Sequence, residues 1–297
     1  MKLYPKVSVI TPSYDAEQYI ECAIKSVLLQ NYPNFEHIIV DGNSSDGTVE
    51  ILKKYPHLKW LSESDKGQSD AMNKGFKISS GEIIVYLNAD DYFEKGAFDA
   101  ILPYFLEGAD FVMGKIKVLR DNGSSWINDP EADFREMLKW WQKDAFCFNP
   151  VGYFYRREVQ EAVGGFDIQN NSTMDLDFLL NCARRYEFVK IDRVLGTFRL
   201  IEGTKTFNCD IEELYLKKIA ICDKYSVCLP EADYICYIKE KAKNLRYLRS
   251  RIVVEQGIKD IKTHYKNHNW PSLTVCFFTV VLWSPLYMPM LIIRRLT

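Results

Sequence analysis

The chain has 297 residues, enough to bury a full core as one large domain or as a large domain with an appendage. Its formal net charge of −2 excludes the bulk electrostatic attraction on which non-specific nucleic-acid binders depend, so no nucleic-acid partner is expected. The eight cysteines are scattered without a C-x-x-C pair, which speaks against a disulfide framework or a structural zinc site.

The N-terminal stretch MKLYPKVSVITPSY carries one short apolar run, too little for the hydrophobic segment of a signal peptide, and sets the expectation of a cytoplasmic domain. Val7 to Thr11 reads as a first strand ended by Pro12 and Ser13. Ile20, Ala23, Ile24, Val27 and Leu28 recur at helical spacing and predict a helix over Glu17 to Leu29 with one buried face. Phe35 to Val40 reads as a second strand, and DGNSSDGT, residues 41 to 48, as a glycine- and Asx-rich turn feeding a short helix through Leu52. A third strand over Leu58 to Leu61 and a helix over Gln68 to Phe76 follow. A fourth strand then begins at Ile83.

This fourth strand lies in GEIIVYLNADD, residues 81 to 91, an apolar run that delivers Asp90 and Asp91 to its carboxyl end. Open α/β sheets bind ligands there. Without a nearby cysteine or histidine, the carboxylate pair suits a hard cation such as Mg²⁺ or Mn²⁺; read alone, it is equally a turn or helix cap. Ser13, Asp41 and Asp65 also fall just after predicted strands, so four polar side chains can converge on one crevice.

VSVITPSYDAEQYIECAIKSVLLQNY, HIIVDGNSSDGT and ESDKGQSDAMNKGFKISSGEIIVYLNADD, in that order, resemble the family 2 glycosyltransferases, inverting enzymes of the GT-A fold that use nucleotide-sugar donors. The resemblance covers about residues 5 to 200 and implies an α/β fold with a mainly parallel central sheet flanked by helices. It implies that Thr11, Pro12, Ser13, Tyr14 and Asp41 hold the nucleotide base. It further implies that Asn88-Ala89-Asp90, followed by Asp91, binds the divalent ion and the donor, with Asp90 and Asp91 as metal ligands. Asn88 stands where the family usually has the first carboxylate; if less ligand charge suffices here, Asn88→Asp is expected to preserve activity. Asp65, Lys66 and Gly67 resemble the loop that closes the donor pocket, where Lys66 meets a phosphate or simply forms a solvated turn. Asp70, Asn73 and Lys74 are sugar contacts or members of a helix face.

Farther along, Phe98, Ile101, Leu102 and Phe105 predict a helix, and Ala109 to Leu119 strand material broken at Gly114. Residues 121 to 125 form a turn, and Asp133 to Trp141 a short helix whose Trp140 and Trp141 serve the core or an acceptor sugar. FCFNPVGYFYRR (146 to 157), GGFD (164 to 167) and MDLDFLLNCARR (174 to 185) resemble the family's acceptor half, which makes Asp175 the catalytic base and leaves Asp177 a cap or ion-pair partner. Val194 to Leu200 reads as an edge strand; TFRLIEGTKT resembles the family's closing segment, which makes Arg199 a diphosphate contact or a brace for the acceptor loop and Lys205 a candidate lid contact.

Beyond this catalytic region, 1–205, with a nucleotide-sugar half at 1–115 and an acceptor half at 116–205, the character changes. Residues 206–269 read as a helical, partly basic extension. Residues 270–297 contain an uncharged stretch, Pro271 to Ile293, long enough to cross a bilayer. Its internal Pro285 and Pro289, and the Arg294-Arg295 pair beyond, favour a monotopic or re-entrant anchor over a single crossing or a buried helix. The expected function is transfer of a sugar from a UDP- or other nucleotide-sugar to a saccharide or lipid-linked acceptor at the cytoplasmic membrane surface, in surface polysaccharide or lipopolysaccharide synthesis. A non-catalytic nucleotide-sugar binding scaffold is the alternative.

Overall fold

The computed structural model describes residues 4–202 and 211–246. A first compact unit ends at Tyr225 and a second begins at Ser226. In the first, a sheet of nine strands among the described residues runs β3-β2-β1-β4-β8-β6-β9-β5, with β7 paired to β6.

The N-terminal part of the sheet is parallel: β1 (Val7–Ser13), β2 (Phe35–Asp41), β3 (Leu58–Ser62) and β4 (Ile83–Tyr86). β1 is buried at every position, as a strand covered on both faces must be. It also runs two residues beyond the expected stop: Pro12 stays in register opposite Val40 and Ser13 opposite Asp41. Helices α1 (Ile20–Leu28), α2 (Thr48–Leu52) and α3 (Gln68–Ile78) make the crossovers. Because the chain steps from β1 outward to β2 and β3 and then returns to β4 on the other side of β1, the strand order reverses between β1 and β4. Their carboxyl ends therefore open a crevice at a topological switch point.

The remainder of the sheet is mixed. After the short β5 (Tyr92–Phe93) and α4 (Ala97–Leu106), the chain forms β6 (Phe111–Arg120) and its hairpin partner β7 (Ser125–Asn128). β6 pairs with β8 (Tyr153–Arg156) antiparallel and with β9 (Phe188–Leu200) parallel. The break expected at Gly114 is a register shift between Met113 and Ile116. β9 is longer than expected and is not an edge strand: it lies between β6 and β5, because both of its rims find partners. Helices α5 (Phe134–Met137), α6 (Arg157–Val163), α7 (Met174–Ala183) and α8 (Ile211–Ser226) complete the described elements up to that point, and a further helical stretch covers 231–246. Trp140 is buried as a core residue, its ring packed on Tyr215 and capped by the Lys218 ammonium of α8.

No helix among the described residues is long and apolar enough to cross a membrane. The segment expected to associate with one, 270–297, lies outside the described residues, as does Lys205.

At the amino end of the sheet, Glu36 is 5% exposed and accepts hydrogen bonds from Lys59 Nζ at 2.6 Å, Ser8 Oγ at 2.6 Å, Ser80 N at 2.6 Å and Lys6 Nζ at 3.0 Å. Burial works to raise its pKa, but these donors outweigh it and hold the carboxyl well below the usual range. A carboxyl depressed in the folded state contributes stability that is complete above its unfolded pKa and lost as pH falls toward the folded value. Glu36→Gln should therefore cost roughly 2–4 kcal/mol at pH 7, because two ammonium groups lose their counter-charge. Urea titrations at pH 7 and pH 4 check this: the gap between wild type and variant should narrow at the lower pH.

Candidate active site

The expected base-binding residues divide by position. Thr11 is fully buried and its Oγ1 lies 2.9 Å from His37 Nε2. Burial pushes the His37 pKa down to about 3, so the pair is a neutral hydrogen bond inside the core. Pro12 and Ser13 are buried too, whereas Tyr14 is 67% exposed at the strand end. Asp41 is completely buried: Oδ1 accepts from Ser44 Oγ, and Oδ2 accepts from Ser44 N at 3.0 Å and Ser62 Oγ at 2.6 Å. Its hydrogen bonds hold the 41–48 turn against the end of β3.

The loop after β3 is tightly tethered. Asp65 Oδ1 accepts from Gly67 N at 2.7 Å, Lys66 N donates to Asp70 Oδ2 at 3.1 Å, and Asn171 Nδ2 donates to Lys66 O at 3.3 Å. Gly67 adopts φ +104°, a conformation that suits glycine, and a methyl group there would meet the Asn171 amide at 2.9 Å. The Lys66 side chain is exposed. Asn73 exchanges hydrogen bonds of 2.8 and 2.7 Å with the backbone N and O of Phe166.

Asn88, Asp90 and Asp91 form the turn after β4, and the last two play different parts. Asp91 is fully buried, and its carboxylate accepts from Asn88 Nδ2 at 3.0 Å, Asn149 Nδ2 at 2.8 Å and Arg199 N at 2.9 Å. Burial, with the neighbouring Asp90 charge adding to it, raises the Asp91 pKa well above the ordinary value. Expected as a second metal ligand, Asp91 is instead enclosed by three donors with no exposed surface. Asn88 is the bridge: its Oδ1 accepts from Gln68 Nε2 at 2.8 Å while its Nδ2 serves Asp91. Asp90 is half-buried, and no side-chain donor among the described residues meets its carboxylate. Burial raises its pKa as well, against its own backbone N–H and the charge of Arg199. Arg199 donates from Nε to the Asp90 carbonyl and lies over the rings of Tyr19 and Tyr92, and its buried Nη2 has no hydrogen-bond partner among the described residues.

Asp175 sits in the first turn of α7, where the helix dipole favours a carboxylate. Its Oδ1 accepts from the hydroxyl of Tyr153 at 2.8 Å. Tyr153 is fully buried, and burial followed by the Asp175 charge pushes its pKa well above normal, so it remains a phenol and donates. Asp177 pairs with Lys224 Nζ of α8 at 3.0 Å, the ion-pair role expected of it.

Sequence patterns alone did not reveal Asn149 or Tyr153. Asn149 caps the 3₁₀ turn Pro150–Gly152 that leads into β8 and simultaneously holds Asp91. Tyr153, four residues later, holds Asp175. One segment of at most about 14 Å therefore braces both the Asp90 turn and the Asp175 helix. The Asn-Pro pair is a turn signal, but nothing local points its amide at a carboxylate 58 positions away.

Known proteins share this architecture. A stretch of 109 residues is 40% identical to TuaG of Bacillus subtilis (strain 168), a glycosyltransferase assigned to teichuronic acid biosynthesis, and covers 35% of this chain and 43% of that protein. A stretch of 176 residues is 30% identical to the uncharacterized glycosyltransferase alr2836 of Nostoc sp. (strain PCC 7120), covering 54% of each. The chain thus spans about half the length of these curated relatives. The crystal structure of S. aureus TarS 1–349 in complex with UDP-GlcNAc superposes with a TM-score of 0.63 at 22% identity, over 79% of this chain and 71% of that one, a likeness of fold. The model of glycosyl transferase family 2 matches residues 8–164, which is more than half of the chain and includes the Asp90 turn, and the protein belongs to that family.

Proposed function

We propose that this chain is an inverting glycosyltransferase that moves a sugar from a UDP-sugar to an acceptor hydroxyl, in the synthesis of a surface polysaccharide or lipopolysaccharide. The observation that carries this reading is the shared brace. Asn149 and Tyr153 tie the donor-side turn and the acceptor-side carboxylate to one rigid segment, as a displacement between two bound substrates requires. Asp175 takes the proton of the acceptor hydroxyl as that oxygen bonds to the anomeric carbon and the bond to the diphosphate breaks. The products are the inverted glycoside and UDP. Tyr153 orients the carboxylate for this and is a positioning residue.

Asp90 fits a divalent cation. Its carboxylate is desolvated and lacks a side-chain donor among the described residues. Those residues contain no cluster of three His, Cys, Asp or Glu side chains able to cage a metal. One carboxylate completed by substrate phosphate oxygens and water is the usual way Mg²⁺ is held, and Mn²⁺ takes the same oxygen ligands. When bound, the ion would neutralise charge developing on the leaving diphosphate. We read Asp91 as the anchor of the turn. The Arg199 Nη2, beside Asp90 and without a hydrogen-bond partner among the described residues, is a candidate diphosphate contact.

TuaG's assignment to teichuronic acid synthesis and the UDP-GlcNAc bound to TarS support the donor and product classes. We read residues 1–205 as the catalytic domain, 206–269 as its helical extension, and 270–297 as a segment that holds the enzyme at the cytoplasmic membrane surface near a saccharide or lipid-linked acceptor. The packing of α8 on Trp140 and Asp177 supports placing the start of that extension on the acceptor side. Purified protein incubated with Mn²⁺ and a panel of nucleotide sugars should bind at least one UDP-sugar and release UDP from it on prolonged incubation, read by mass spectrometry. Absence of binding and turnover across the panel would sink the reading.

A further inference from the structure

We infer that Asn171 is a positioning residue for sugar transfer: it caps α3 from a distant part of the chain and, through that cap, fixes the start of the helix that carries Asp175. This rests on the reading of Asp175 as the base. Helix α3 starts after Gly67, which has no side chain to satisfy the first N–H groups of the helix. Asn171 supplies the missing acceptor from 102 positions away, its Oδ1 taking the backbone N–H of Ser69 at 2.9 Å. Its Nδ2 donates to Lys66 O and to Ile168 O, both at 3.3 Å, so one amide joins the loop before α3 to the loop before α7. The glycine admits it: a Cβ at position 67 would lie 2.9 Å from both Nδ2 and Oδ1 of Asn171.

The connection continues toward Asp175. Ser69 is fully buried, and its Oγ donates to Asn170 O at 2.7 Å with Met174 Sδ 2.9 Å away. Asn170 Oδ1 in turn accepts from the backbone N and the hydroxyl of Thr173, each at 3.0 Å. Thr173 is the residue from which α7 starts, and Asp175 follows in the first turn. Gln68, beside Ser69, donates to Asn88 Oδ1 at 2.8 Å in the turn that carries Asp90. Adjacent residues at the start of α3 therefore hold the Asp90 turn and the loop that launches α7. Tyr153 orients the Asp175 carboxylate, whereas the Asn171 cap places its backbone. Both matter because a displacement of about 1 Å in a reacting group can cost about a hundredfold in rate.

The test is release of UDP, with water as the acceptor, from the fastest of a panel of UDP-sugars that includes UDP-GlcNAc. It uses the full-length protein with Mn²⁺, in the wild-type and Asp175→Asn backgrounds, beside calorimetry of UDP-sugar binding. Asn171→Ala should lower kcat about tenfold or more and leave donor affinity within about threefold. The donor-side loop keeps its own hydrogen bonds, Gly67 N to Asp65 Oδ1 and Lys66 N to Asp70 Oδ2. Asn171→Asp retains an oxygen for Ser69 N–H, and a carboxylate suits a helix N-terminus, so it should keep at least about a third of the wild-type rate. Ser69→Ala leaves the cap in place but releases Asn170; it should lower kcat about threefold or more, and it carries the test if Asn171→Ala does not fold. In the Asp175→Asn background both losses should shrink to less than about twofold, because a residue that acts through Asp175 then has no base to place. Unchanged kcat in Asn171→Ala and Ser69→Ala, Asn171→Asp no faster than Asn171→Ala, or the full loss repeated in the Asp175→Asn background overturns the proposal while the reading of Asp175 stands. Wild-type turnover by Asp175→Asn alone overturns the reading of Asp175 and the proposal with it.

Discussion

Asp175→Asn should lower turnover at least about a hundredfold while leaving UDP-sugar affinity close to that of the wild type. Asparagine keeps the size of the side chain and, through its carbonyl oxygen, the hydrogen bond from Tyr153, so the first turn of α7 has no reason to move. What disappears is the oxygen that the proposed mechanism uses as base, and loss of a general base typically costs about 10²- to 10⁴-fold in rate. An interaction made in the transition state and absent from donor binding lowers kcat without weakening the donor complex. Rapid-quench measurement of transfer beside calorimetry of donor binding separates the two. Donor binding lost together with turnover would assign Asp175 to the donor pocket or to the fold. Near-normal turnover would move the base elsewhere, with Asp177 a poor replacement because Lys224 already occupies it.

Asp90→Ala should reduce transfer by roughly 10²- to 10³-fold, and chelation of divalent ions should do the same to the wild type, since each removes electrostatic stabilisation of the leaving diphosphate. Wild-type transfer indifferent to chelator would exclude the metal at Asp90. The neighbouring Asn88→Asp distinguishes ligand charge from architecture. At first sight the change supplies a further carboxylate and should be tolerated. In the folded protein it places that carboxylate where the Asn88 amide donates at 3.0 Å to the fully buried Asp91, and a half-buried carboxylate so close to a buried one makes ionising both costly. Asn88→Asp should therefore lose activity and melt at a lower temperature than the wild type, most clearly at neutral and higher pH, where the second carboxyl must ionise or stay protonated at a cost. Retention of both activity and melting temperature at pH 8 would mean that the Asn88 to Asp91 contact contributes nothing.

How much of this was legible beforehand depended on whether the information is local. The buried runs of β1, β2 and β4, and the helical spacing of α1, α3 and α4, are visible because a strand or helix that must hide a face writes its period into neighbouring residues. The limits of β9 were less visible: its pattern of buried and exposed positions is irregular, interrupted by the register shift against β6, and its interior place depends on β5, two residues long and a hundred positions away. Asp177 as an ion-pair partner and Trp140 as a core residue followed from the habits of those side chains, and their particular partners came from α8.

By itself the sequence determined the α/β class, the parallel N-terminal part of the sheet, the order of its strands and helices, and the carboxylates that reach the carboxyl edge of the sheet. Tertiary structure alone decided what each carboxylate does there. Asp41 and Asp91 share with Asp65 and Asp90 the same residue type and nearly the same place after a strand, yet the first pair is sealed by three donors each and the second keeps an oxygen that no described side-chain donor meets. The difference arises from residues far along the chain, Ser62 for Asp41, and Asn149 and Arg199 for Asp91. A hydrogen bond costs little to form across a folded sheet, but which donor faces which acceptor depends on strand order and register, and these are global properties that no local period encodes.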